Sequence, residues 1–365
     1  MDKFIRKLNF DFATNQKILQ LISYIDSFKG KWNITEKQEN RYLKELQKIA
    51  TIESIGSSTR IEGTKLTNEE VQKLLENIKI TKLKSRDEQE VIGYYEVLEI
   101  IYNNYTNISL SESYIKQLHQ ILLKYSYKDQ RHRGAYKYLS NKVVATYPTG
   151  EQKTIFSTTE PALVAVEMQE LIEWTNKHLE QKVSSAHATD SIHKLIVIGS
   201  FIYDFLSIHP FQDGNGRLSR LLTTLCLLQN DYSFIQYVSF ENHIEQNKKT
   251  YYKALMSGQK NRGTKNERID FWMIFFLESL KTLTEKLEQK YEIFNSKPAY
   301  LNERQKLIKD YIENNQPVKI SDLVKQFPEI NLNTLKKDLL YLRNEKAIIM
   351  LGKGKGSIYI VNQKD

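Results

Sequence analysis

Apolar residues along this chain recur mostly at helical spacing. Between Asn15 and Phe28 they fall at Ile18, Leu19, Ile22 and Ile25, the i, i+3, i+4, i+7 stripe of an amphipathic helix, and a second such run goes from about Glu36 to Ile55. Together they predict a helical hairpin. Thr67-Asn-Glu-Glu70 has the character of a helix start, and Ser85 to Tyr105 predicts one long helix striped by Val91, Tyr94, Tyr95, Leu98 and Ile101. Ser109-Leu-Ser-Glu112 has the form of a capping box, opening a helix that ends near Tyr127. Pro161 to His178 is the next helix, with proline in the first turn, where its missing N–H is tolerated. Leu195–Leu206 and Leu221–Leu228 are long apolar runs, which predicts two buried helices. His243 to Met256 and Ile269 to Phe294 continue the helical pattern, the latter apolar through Leu277 and then charged.

Two stretches depart from it. Between Arg131 and Pro161, Val143-Val-Ala-Thr-Tyr147 and Thr154-Ile-Phe156 flank Pro148-Thr-Gly150, which predicts a small β-hairpin at about 136–158. It is either a surface decoration or an exposed edge onto which a partner segment adds as a further strand. Beyond Asn295-Ser-Lys-Pro298 come helical patterns at about 302–314, 320–327 and 333–345, then Ile348–Leu351 and Ser357–Val361 about a glycine-rich turn. Three helices and a hairpin spell a winged helix-turn-helix. The expected fold is mainly α: a helical region over 1–105, a helical core over 106–294 that carries the hairpin, and a small α+β domain over 299–365.

Composition narrows the function. At 365 residues, 40% hydrophobic and 27% charged, the chain is an ordinary soluble globular sequence with room for two or three units. Its single cysteine, Cys226, can build neither a disulfide framework nor a Cys-based metal site. The histidines, His187 and His193 among them, form no His-Glu-x-x-His or Cys/His cluster, which argues against zinc chemistry. No signal peptide or membrane-spanning run is visible, so a cytoplasmic protein with no membrane contact is expected. The net charge of +9 is spread along the chain; residues 301–365 hold 12 Lys+Arg against 8 Asp+Glu, a surplus of 4. Lys336, Lys337 and Arg343, with Lys353 and Lys355 in the wing, would be the basic face of a DNA reader. So modest a surplus leaves homodimerisation or target recruitment open as the role of that domain.

The chemistry concentrates between the two apolar runs, in Ile208-His-Pro-Phe-Gln-Asp-Gly-Asn-Gly-Arg-Leu-Ser-Arg220. Gly214 and Gly216 can adopt positive φ and let backbone N–H groups converge on an anion, where a helix opening near Asn215 adds its positive dipole end. Arg217 and Arg220, three apart, offer guanidinium forks to phosphate oxygens. Asp213 suits Mg²⁺, a hard cation that takes one carboxylate together with phosphate oxygens. His209 titrates near neutrality and can accept a proton from an attacking hydroxyl. No strand precedes the glycines, Ser219 stands where a dinucleotide fingerprint needs glycine, and there is no Gly-Lys-Ser/Thr, so Rossmann and P-loop sites are excluded.

The run from His209 to Arg220 resembles the signature of the Fic (Fic/Doc) family, His-x-Phe-x-Asp/Glu-Gly-Asn-Gly-Arg-x-x-Arg, at every defined position. The resemblance implies a Fic-type helical core with a hairpin flap, transferring AMP from ATP to a hydroxyl of a target protein and of itself, with Mg²⁺ at Asp213. It makes His209 the base, Gly214, Asn215 and Gly216 the α- and β-phosphate cradle, Arg217 a β-phosphate contact and Arg220 a γ-phosphate contact. Tyr251 and Tyr252, in Asn247-Lys-Lys-Thr-Tyr-Tyr252, resemble the family's helix at the edge of the adenosine pocket; paired helical tyrosines are also explained as core with a hydroxyl at the rim. Upstream, Ser58-Thr-Arg-Ile-Glu62-Gly63 resembles the family's inhibitory motif, Ser/Thr-x-x-x-Glu-Gly/Asn, implying an inhibitory helix at about 50–63 whose Glu62 pairs with Arg220. On its own the same stretch reads as a helix end capped by Gly63. Two functions follow: a restrained AMP transferase acting on Ser, Thr or Tyr, or a DNA-binding regulator whose core senses a nucleotide. The intact His209 favours the first, because a sensor needs no base.

Overall fold

Both N-terminal stripes fold as helices; the first runs further than the spacing marked at both ends, and the second begins later than Glu36 and ends later than Ile55. In the computed structural model, which describes every residue except 1, 38–40, 79–82, 84, 147–151, 181–190, 297–300, 346, 353 and 363–365, the short α1 (Lys3–Arg6) leads to α2 (Phe12–Glu36) and α3 (Arg41–Ile61). Asp11 caps α2 by accepting from the Thr14 N–H, and burial continues past Ile25 to Phe28 and Trp32, which carries the helix beyond its expected end. Leu19, assigned to the stripe, is exposed. The described residues divide into two compact units, Met1–Gln289 and Lys290–Asp365.

α4 (Asn68–Glu76) and α5 (Arg86–Asn104) each open on a capping box, Thr67 with Glu70 and Ser85 with Glu88. The box expected at Ser109 is not formed. α6 (Glu112–Leu122) is capped by Ser111, which accepts from the Tyr114 N–H, because Ile108 and Leu110 are both buried at a spacing no helix provides. That helix also stops short of Tyr127. It packs close on α5, where a Cβ at Gly93 would lie 2.1 Å from the Leu122 carbonyl.

The hairpin follows: β1 (Lys142–Thr146) pairs antiparallel with β2 (Gln152–Ser157), Lys142 opposite Ser157 and Thr146 opposite Gln152. Val143 faces Phe156 and Val144 faces Thr154, so Ile155 is the extra residue of a bulge. Its Pro148-Thr-Gly150 turn lies outside the described residues. Next come α7 (Pro161–Glu180), α8 (Lys194–Ile208) and α9 (Asn215–Gln229). Val197–Ile208 and Arg217–Leu228 are buried without a break, which makes α8 and α9 the centre of this unit. A 3₁₀ turn at Ser233–Tyr237, unmarked by any periodicity, precedes α10 (Phe240–Gln246), α11 (Lys248–Gln259) and α12 (Asp270–Ser296). One helix was expected over 243–256 and two are found. At Asn247 the backbone leaves helical geometry and the side-chain amide donates to the His243 carbonyl, closing α10 before α11 begins.

The second unit holds α13 (Glu303–Asn315), β3 (Val318–Lys319), α14 (Ile320–Gln326), α15 (Leu332–Asn344), β4 (Ile348–Leu351) and β5 (Ile358–Val361), with the strands in the antiparallel order β3-β5-β4. Ile308, Ile312, Leu323, Leu335, Leu339 and Leu342 form its core. α15 exposes Lys336, Lys337 and Arg343, while its Asp338 is buried and accepts from Arg304 and Gln305. Lys353 and the Lys355 side chain lie outside the described residues. The chain is thus mainly α with small sheets, and no described helix is long and apolar enough to cross a membrane.

Candidate functional site

The α8–α9 connection is organised from behind by a histidine. α8 ends at His209, a non-glycine residue with φ 54° and ψ 61°, whose N–H still reaches the Phe205 carbonyl. Phe211 is buried and stacks on His119 of α6, ring centroids 3.8 Å apart. His119 Nδ1 accepts from the Gly134 N–H at 2.8 Å, so Nε2 carries the proton and donates to the Asp213 carbonyl at 2.9 Å. Burial depresses this imidazole to about 4, which keeps it neutral and the arrangement intact. The sequence showed His119 only as a polar residue among apolar ones on a helix. Asn215 closes the loop: its Oδ1 accepts from the Phe211 N–H at 2.9 Å and its Nδ2 donates to the Phe211 carbonyl at 2.7 Å. The Asn215 side chain is thereby committed to the loop. Gly214 (φ 79°) caps α9 without any side-chain bond, which leaves the helix N-terminus open to an anion.

The acid and the arginines sit in a charged array. Asp213 Oδ1 accepts from the Gly214 N–H at 2.6 Å and lies 3.2 Å from Arg217 Nη2, while Oδ2 is 3.6 Å from Lys128 Nζ. Burial would raise this carboxyl, but Arg217 and the Gly214 N–H outweigh it and hold it below the usual carboxylate range. Arg217 is buried and does not line the cavity; Glu90 of α5 lies 3.1 Å from its Nη1 and is itself held by Arg86 at 2.6 Å. Glu90 too was unmarked in the sequence.

Arg220 turns to α3. Its Nε donates to Ser58 Oγ at 2.8 Å, and its Nη2 donates to the Ser58 carbonyl at 2.9 Å and to Glu62 Oε1 at 2.8 Å. Burial would raise the Glu62 carboxyl, yet Arg220 and Arg217 together hold it low. Gly63, with φ 110°, ends the segment. A Cβ added to Gly216 would lie 2.3 Å from Glu62 Oε1, which puts that carboxylate over the open end of α9. The end of α3 is fastened by a bidentate Arg60–Glu245 pair at 2.8 and 3.0 Å and by Lys248 Nζ, which donates to the Ile61 carbonyl at 2.8 Å.

A cavity of about 220 Å³ opens here, bringing His209, Asp213, Gly214, Asn215, Gly216, Arg220 and Glu62 together with Tyr251 and Tyr252. Phe156 of β2, Leu206, Gln212, Leu255, Met256 and Gln259, none assigned a role in the site from the sequence, complete it. Ser58, Gly63 and Arg217 stand outside it. Tyr251 is buried against Trp272, and burial pushes the Tyr252 hydroxyl up to about 12. Burial, then the nearby Lys137 ammonium, depress His209 to about 4. Its Nδ1 lies 3.3 Å from the Leu206 carbonyl; a proton directed there leaves Nε2 bare to accept another. For a metal, Asp213 Oδ2 is one carboxylate oxygen beside an anion site, a donor set that suits Mg²⁺ sharing phosphate oxygens; no group of three or more His, Cys, Asp or Glu able to hold a metal occurs among the described residues. A larger groove of about 420 Å³ between α3, α4 and α5 contains no residue of the 208–220 loop.

Residues 109–227 match the model of the Fic/DOC family. The chain is 26% identical over 236 residues to a protein adenylyltransferase Fic of Drosophila grimshawi, covering 60% of this chain and 43% of that one. To the protein of the same name from Drosophila willistoni it is 29% identical over 199 residues, 53% of this chain and 35% of the relative. The chain thus spans less than half the length of these relatives. The crystal structure of a Fic family protein from Desulfovibrio desulfuricans superposes with a TM-score of 0.63 at 19% identity, covering 96% of this chain and 97% of that one, a likeness of fold.

Proposed function

The chain is a Fic/DOC family protein, and from that footing we propose that it transfers AMP from ATP to a hydroxyl group of a protein acceptor, itself included, under restraint by Glu62. What carries the reading is one cavity in which a neutral histidine, a carboxylate and an arginine surround an uncapped helix N-terminus. The triphosphate would lie against the first turn of α9, its α-phosphate facing His209. As the acceptor oxygen bonds to that phosphorus, its proton passes to His209 Nε2 and the bond to the pyrophosphate leaving group breaks. Asp213 Oδ2 would hold Mg²⁺, which when bound offsets phosphate charge and steadies the leaving group. Arg217, clamped by Glu90, keeps the Asp213 carboxylate in place. Tyr251, Tyr252 and Leu255 would flank the adenosine, and the β1–β2 edge would take the acceptor segment as an added strand.

Glu62 opposes this arrangement twice. It engages the guanidinium that would meet the γ-phosphate, and it sets a negative charge over the anion site. The order of elements in the second unit supports a winged helix-turn-helix, with Lys336, Lys337 and Arg343 of α15 as a face for DNA. The deciding experiment supplies ATP labelled on the α-phosphate, with Mg²⁺, to the protein and to its Glu62→Gly variant. Label should enter protein, most of all in the variant. No label in a folded, nucleotide-binding Glu62→Gly protein would overturn the proposal.

A further inference from the structure

Lys137 is a buried cation, 3% exposed, whose only part in the chemistry above is the effect of its charge on His209. Among the described residues no carboxylate lies within ion-pairing distance of it; its ammonium instead meets Asn141 Oδ1 at 2.8 Å, Thr158 Oγ1 at 2.6 Å and the Ile208 carbonyl at 3.2 Å. Three donors thus find three neutral acceptors. The acceptors belong to three segments: Asn141 immediately precedes β1, Thr158 immediately follows β2, and Ile208 immediately precedes His209. Further bonds repeat the connection. The Lys137 N–H donates to the Pro210 carbonyl at 2.9 Å, Asn141 Nδ2 donates to the Phe211 carbonyl at 3.1 Å, and the Thr158 hydroxyl lies 2.9 Å from the Asn141 carbonyl. Both feet of the hairpin are therefore fastened to the backbone of residues 208–211.

Burying an ammonium without a counter-ion is unfavourable, and the burial lowers this one to about 8. A methionine would fill the space at lower free-energy cost. What it would lack is three hydrogen-bond donors converging at one point, which is what joining three segments requires. We propose that Lys137 is a positioning residue that locks the β1–β2 hairpin to the His209 turn, so that an acceptor segment seated on the hairpin arrives in register with the imidazole. Its consequence for rate rests on the adenylyl-transfer reading; the lock itself does not.

The test is made in the Glu62→Gly background. Lys137→Met should leave Mg-ATP affinity, measured by calorimetry, within about twofold, yet lower transfer at saturating ATP by about tenfold to a hundredfold, the cost of an ångström-scale misplacement. Thr158→Val, which removes one acceptor, should give an intermediate loss, and Lys137→Arg, which keeps a charged multiple donor, should recover part of the rate. Amide hydrogen exchange should quicken at 142–146 and 152–157 in Lys137→Met while α8 and α9 stay protected. Transfer at the parental rate, or unchanged exchange in the hairpin, would overturn the proposal. Should Lys137→Met fail to fold, as judged by circular dichroism, Thr158→Val decides by the same two readouts. If Glu62→Gly itself transfers nothing, the activity reading fails, and hydrogen exchange alone decides the lock.

Discussion

Removing the Glu62 side chain isolates one contact in an otherwise retained site. In Glu62→Gly, Arg220 keeps both bonds to Ser58, so the guanidinium stays placed, and position 62 lies just beyond the last residue of α3, so the helix keeps its length. A hydrogen bond between charged groups, as at the 2.8 Å Arg220–Glu62 contact, contributes about 1.5–3 kcal/mol. Because the Glu62 side chain is 33% exposed, solvent screening favours the lower part of that range. At about 1.4 kcal/mol per factor of ten, relief of about 1.5–2 kcal/mol corresponds to a gain of about ten- to thirtyfold. That is a floor, since the same carboxylate also stands over the α9 N-terminus, where the proposed reading puts the phosphates. The assay is the initial rate of α-phosphate label incorporation at saturating Mg-ATP, parent against variant. Glu62→Gln, which keeps the shape and loses the charge, should fall between them, and Arg220→Ala should not mimic release because it also removes the phosphate partner. Equal rates in parent and Glu62→Gly would refute the reasoning and return residues 58–63 to the status of a capped helix end.

Other outcomes follow from the same geometry. His209→Ala should cut transfer by about 10²–10⁴-fold with circular dichroism unchanged. With His209 depressed to about 4, the unprotonated base is present throughout the neutral range, so the rate should be flat there and fall only as pH drops toward that value; a limb near the ordinary histidine value of about 6.5 would contradict its burial. His119, His209 and His243 all sit near 4 when folded. The unfolded chain, with pKa values of about 6.5, binds more protons between those limits, so this part of the stability is complete above about 6.5 and should be lost progressively as pH falls toward 4, measured by urea unfolding. A chain ending at residue 298 should still bind Mg-ATP and transfer label, because every cavity residue lies between Glu62 and Gln259.

How much of this could be read from the sequence depends on how far apart the partners stand. Asp213, Gly214, Gly216 and Arg220 lie within one short run, so local spacing alone grouped them, and all four line one cavity. Glu62 and Arg220 are 158 residues apart, and periodicity alone offered only a helix end; the resemblance suggested the pair. Arg217 and Arg220 share a face by spacing, yet Glu90 engages one and Ser58 the other, which no pattern on α9 encodes. His119, Glu90 and Lys137 looked like ordinary polar residues, because their roles exist only once α5, α6 and the hairpin are folded against the loop. The break at Asn247 turns on one side-chain amide meeting one carbonyl, and β3, two residues long, is too short to show a period.

The fastening of α3 sets how the proposed restraint competes with ligands. Glu62 and Arg220 belong to one chain, so the carboxylate meets its partner at an effective concentration fixed by the seating of α3, on the order of millimolar or above for a constrained tether. Dilution leaves that value untouched, and a soluble anion must match it to displace the carboxylate. The Arg60–Glu245 clamp and the Lys248 bond to the Ile61 carbonyl would then set its strength, since loosening either would let the end of α3 explore a larger volume and thin the competitor without changing a single atom of the proposed phosphate site.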